Sequence, residues 1–119
     1  MTLTALLSAT QLQEALARAN RKCVVVQFTA TWCAPCKKIK PTLMHLAATH
    51  ATTFEILTAD VDPLKDLVTH FRVTMMPTFI FFFRNRVVHV LQGSSTELLS
   101  QAFDIISSMM QHSILMAPE

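Results

Sequence analysis

Apolar positions along the chain fall into short continuous runs separated by helical stripes. Leu12, Ala15, Leu16 and Ala19 recur at i, i+3, i+4 and i+7 and predict a first helix. Ser8 and Gln11 stand at its start with capping-box spacing. Val24-Val25-Val26-Gln27-Phe28 is β-branched and nearly continuous, the pattern of a strand buried on both faces. A second helix carries Ile39, Leu43, Leu46 and Ala47 on one face, with Pro41 inside it and expected to kink it. Residues 53–59 read as another buried strand. Asp62-Pro63 reads as an N-cap with proline at the first helical position, ahead of a face formed by Leu64, Leu67, Val68 and Phe71. Thr78 to Phe83 and Val87 to Leu91 predict a hairpin that turns at Arg84-Asn85-Arg86, where Asn85 tolerates positive φ. Gly93 closes that stretch, and Ser94-x-x-Glu97 predicts a capping box for a last helix reaching about Met110. Strands alternating with helices, followed by a hairpin and a helix, imply an α/β fold: a mixed sheet covered on both faces.

Composition narrows the class. A chain of 119 residues, without repeat or linker, is one domain over 1–119, with its core at about 3–110 and residues 111–119 expected as a flexible tail. Apolar residues at 51% against charged ones at 15% supply a core and exclude intrinsic disorder. A net charge of +2 is too small for a nucleic-acid binder, and only Lys37, Lys38 and Lys40 cluster. Glu14 is the first charged residue and Arg18 the first basic one, so neither a signal peptide nor a transit peptide is expected. The longest apolar run, Phe79 to Phe83, is too short to span a membrane. Three cysteines are too few for a disulfide-built secreted domain. The expectation is a cytoplasmic monomer, with neither membrane nor nucleic acid as partner.

The chemistry concentrates at Cys33-Ala34-Pro35-Cys36, between a buried strand and a helix. A thiol at a helix start faces unpaired backbone N–H groups and the positive end of the dipole, which favour the nucleophilic thiolate. Cys33 is therefore the expected attacker and Cys36, one turn on, the resolving thiol. A half zinc site or a structural disulfide would use the same spacing. Zinc normally needs four ligands; Cys23 is the one other cysteine, and no histidine completes a set at close spacing. The strand–helix context favours redox chemistry. Cys23 itself reads as a small buried apolar residue, and no metal is expected.

The stretch Phe28 to Pro41 (FTATWCAPCKKIKP), with Asp60-Val61-Asp62, Met76-Pro77-Thr78 and Gly93, resembles the thioredoxin family over roughly residues 3–110. The resemblance implies a five-stranded mixed sheet flanked by four helices. It also implies a cis Pro77 facing the cysteines, with the main chain of Met76 open to an extended substrate segment. Trp32, Ala34, Pro35, Met76, Pro77 and Gly93 are the substrate-binding residues it suggests. The implied activity is reduction of protein disulfides by dithiol exchange through Cys33 and Cys36, with no bound cofactor. Reducing equivalents would come from an NADPH-dependent thioredoxin reductase.

Departures from the family cluster around the resolving thiol. Gln27 stands where typical members carry a buried Asp, and Thr58 where bacterial members have a facing Lys. These two are the expected site-tuning positions. Ala34, Met75 and Arg86 replace glycines found in many members. The altered buried site and the apolar Ile114-Leu115-Met116 motivate an alternative: a thioredoxin-like binding or scaffold module with slow or incidental redox activity.

Overall fold

The valine run becomes β2 (Cys23–Thr29), buried at every position but the last. The computed structural model describes residues 3–19 and 21–116. Around β2 stand β1 (Thr4–Ala5), β3 (Phe54–Asp60), β4 (Thr78–Phe83) and β5 (Arg86–Gln92), with helices α1 (Ala9–Arg18), α2 (Ala34–Thr49), α3 (Lys65–His70) and α4 (Thr96–Met116). The sheet order is β1-β3-β2-β4-β5. β1, β3 and β2 run parallel, while β4 is antiparallel to β2, and β5 to β4. This is the mixed sheet with four helices that the pattern and the resemblance predict.

Alternation along β2 divides the interior into two cores. Val24, Val26 and Phe28 pack with Leu12 and Ala15 of α1 and Leu67 of α3. Cys23 and Val25 face the opposite way, with Ile39 and Leu43 of α2 and Leu99 and Phe103 of α4. Phe103 is fully buried and lies 4.5 Å from Phe54 and 5.6 Å from Phe81, ring centroid to centroid.

Several boundaries differ from the sequence pattern, each for a local reason. β1 is two exposed residues with no apolar signal; it exists by pairing with Leu57 and Thr58. Asp62 is not an N-cap: α3 begins at Lys65, with Leu64 at the cap and no side-chain cap bond. The backbone N–H of Asp62 donates to Asp60 Oδ1 at 3.1 Å, closing residues 61–63 into a turn before the helix. The last helix is capped by Ser95, whose Oγ accepts from Leu98 N–H at 3.1 Å, not by Ser94. Gly93, at φ 98° and bonded to the Pro77 carbonyl, still belongs to the sheet edge, so Ser94 only bridges the two. The hairpin turn is two residues, Arg84 and Asn85, both at positive φ as a type I′ loop requires, and Arg86 already pairs with Phe83.

The last helix ends later than the sequence pattern predicts. α4 continues past Met110 to Met116, because Ile106 and Met110 anchor it on the core and no glycine or proline intervenes before Pro118. Residues 117–119 lie outside the described residues.

Candidate functional site

The end of β2 delivers Cys33 to the N-cap of α2 and Cys36 to its first turn. Cys33 Sγ accepts a hydrogen bond from Cys36 N–H at 3.2 Å, so the sulfur occupies the place a capping oxygen normally takes. That bond and the helix dipole both favour negative charge on Cys33. The two cysteines are joined as a disulfide, Cα atoms 5.3 Å apart. Each is about 5% exposed, so attack on the pair comes through a narrow opening.

Trp32 beside them is 63% exposed, yet it is not free: its indole Nε1–H donates to Asp62 Oδ2 at 3.1 Å. This tie occupies the carboxylate that the sequence pattern assigned to helix capping. Ala34 and Pro35 are exposed on the first turn of α2. The Met76-Pro77 bond is cis, and Met76 packs half-buried against the core that holds Cys33 and Cys36. Pro77 is fully buried, and its carbonyl accepts from Gly93 N–H at 2.9 Å, bringing Gly93 to the same rim. Thr78 Oγ1 donates to the Met75 carbonyl at 2.6 Å, fixing the turn ahead of β4.

Gln27 and Thr58 pair in register across β2 and β3. Both line a cavity of about 500 Å³ that reaches Cys36 from behind, together with Lys37, Lys40 and Asp60. Gln27 is buried and Thr58 half-buried. Asp60 is the one carboxylate on that wall among the described residues. Sequence reasoning placed Asp60 in a matching stretch and gave it no role; the signal was its registry with Thr29, which only the strand pairing reveals.

Cys23 lies in the opposite core, fully buried and unpaired. Burial pushes its thiol from 9.0 up to about 12, partly opposed by a hydrogen bond with the Phe82 backbone. It is inert packing, away from the redox pair. No group of three or more His, Cys, Asp or Glu side chains among the described residues could hold a metal.

Relatives are consistent with this geometry. The thioredoxin family model matches residues 4–104. Human thioredoxin is 42% identical over 92 residues, covering 77% of this chain and 87% of its own. The thioredoxin of Ophiophagus hannah is 39% identical over 93 residues, covering 78% and 88% respectively. Among solved structures, Fasciola hepatica thioredoxin superposes with a TM-score of 0.82 at 28% identity, over 86% of this chain and 97% of that one. Oxidised mitochondrial thioredoxin 3 of Saccharomyces cerevisiae gives 0.79 at 26%, over 86% and 93%. With a capped, disulfide-bonded cysteine pair on this fold and such relatives, the chain belongs to the thioredoxin family and is a thiol–disulfide oxidoreductase working through Cys33 and Cys36.

Proposed function

We propose that this protein is a monomeric, cytoplasmic electron carrier that reduces protein disulfides and is recharged by an NADPH-dependent thioredoxin reductase. The observation that carries the chemistry is the sulfur of Cys33 at the N-cap of α2, bonded to Cys36 N–H. In the reduced protein Cys33 attacks as thiolate, one substrate sulfur leaves, and a mixed disulfide forms. Cys36 then attacks Cys33 Sγ, the second substrate sulfur leaves as thiol, and the Cys33–Cys36 disulfide is the oxidised product. The reductase returns two electrons and two protons to that disulfide.

Substrate lies in the surface between Trp32, Ala34 and Pro35 on one side and Met76, Pro77 and Gly93 on the other. An extended segment pairs there with the Met76 main chain. Gln27 and Thr58 tune the resolving thiol from the cavity side. Two variants test the roles. Cys36→Ser accumulates a mixed disulfide with a substrate protein, and Cys33→Ser neither reduces nor traps. Trapping by Cys33→Ser would reverse the assignment. NADPH-coupled insulin reduction with a thioredoxin reductase tests the electron source; activity with dithiothreitol but none with the reductase would remove it.

A further inference from the structure

Resolution of the mixed disulfide requires Cys36 to lose a proton, and Gln27 cannot accept one, since an amide has no basic site at physiological pH. We propose that Asp60, at the end of β3, is the proton acceptor for Cys36, reached through water in the cavity they share. The inference rests on the resolving role assigned to Cys36 above. Three observations point to it. The cavity of about 500 Å³ runs from Cys36 to Asp60 and is roomy enough for several waters. Its uncharged polar wall is Gln27, Thr29, Thr31 and Thr58, which can relay hydrogen bonds but cannot hold the proton. Asp60 is half-buried on that wall, and Lys37 and Lys40 of α2 line the same cavity. Among the described residues of β1, β2 and β3, no other titratable group lines it; Asp62, one turn on, points its carboxylate at Trp32.

The step balances. The Cys36 S–H proton passes through water to the Asp60 carboxylate as Cys36 sulfur bonds to Cys33 Sγ. The bond from Cys33 to substrate sulfur breaks, and the departing thiolate takes up a proton, which Asp60 returns through solvent. Substrate is reduced and the cysteine pair oxidised.

The test uses the full chain with a chromogenic aromatic disulfide, followed by stopped flow. Its first thiolate is released by Cys33 attack and its second by Cys36 resolution. Asp60→Asn keeps an Oδ1 to accept from Asp62 N–H, so the turn holding Trp32 is preserved while the basic site is lost. The expected result is an unchanged first phase and a second phase slowed at least about ten-fold at neutral pH. The two proteins should converge as pH passes the ordinary thiol value of about 8.5, where solvent deprotonates Cys36 unaided. Asp60→Glu should restore much of the neutral rate, and Gln27→Asp should rescue Asp60→Asn. An unchanged second phase, equal slowing of both phases, or slowing that persists at alkaline pH would each overturn Asp60 as acceptor. If Cys36→Ser failed to stop the second phase, the assignment of Cys36 would fall first, independently of Asp60.

Discussion

Alkaline pH should destabilise this protein through one buried thiol. Cys23 is fully buried in the core between β2, α2 and α4, and its pKa lies near 12 against 9.0 for an unburied thiol. Below pH 9 the thiol is protonated in both folded and unfolded chains and contributes no pH dependence. Above 9 the unfolded chain ionises while the native one cannot, so native stability falls with each pH unit until about 12. Each unit is worth about 1.4 kcal/mol, giving a loss of about 2 kcal/mol by about pH 10.5 and about 4 kcal/mol at the upper limit. Against a typical total of about 5–15 kcal/mol this is large. Urea melts of the oxidised protein from neutral to alkaline pH would measure it, since Cys33 and Cys36 do not titrate in the disulfide. The chain has no tyrosine, so no phenol titrates in the same window. Cys23→Ala should cost about 1 kcal/mol at neutral pH for the lost sulfur contacts and remove the alkaline loss. Parallel stability curves for the two proteins would refute the reasoning, because the alkaline loss would then come from other groups.

Gln27→Asp should lower stability by about 2–4 kcal/mol at neutral pH, since the residue is buried and a charge there loses its hydration. Burial raises that carboxyl's pKa, so the loss should develop as pH rises past about 4 and be absent in acid; denaturant melts across that range check it. Phe103→Ala should cost about 3–5 kcal/mol through a cavity among Phe54, Phe81 and α2, measurable by thermal melts. Its effect on disulfide exchange at low temperature should be small, because Cys33 and Cys36 pack in the other core. Asp62→Ala should free the indole of the chain's one tryptophan, lowering its fluorescence anisotropy, while stability changes by less than about 1 kcal/mol at this exposed site.

Sequence alone determined the parts that local physics dictates. Period in the apolar pattern marks α1, α2, β2, β3 and the β4–β5 hairpin, because burying one face requires that spacing whatever the partner. The redox pair was equally legible: two thiols at a strand-to-helix junction meet the same N–H groups in any fold that keeps the junction. Tertiary structure decided what depends on a distant partner. β1 exists only because β3 offers a parallel edge to it. Asp62 has the composition of a helix cap, and only the fold brings Trp32 within reach to claim its carboxylate. α4 keeps its length because the sheet holds Ile106 and Met110, an anchor no window around residues 111–116 contains. Asp60 became visible as a partner of Cys36 only when β3 registered against β2 and the start of α2 lay over both. Local spacing can specify a nucleophile, but the proton acceptor behind it is a matter of which strands lie side by side.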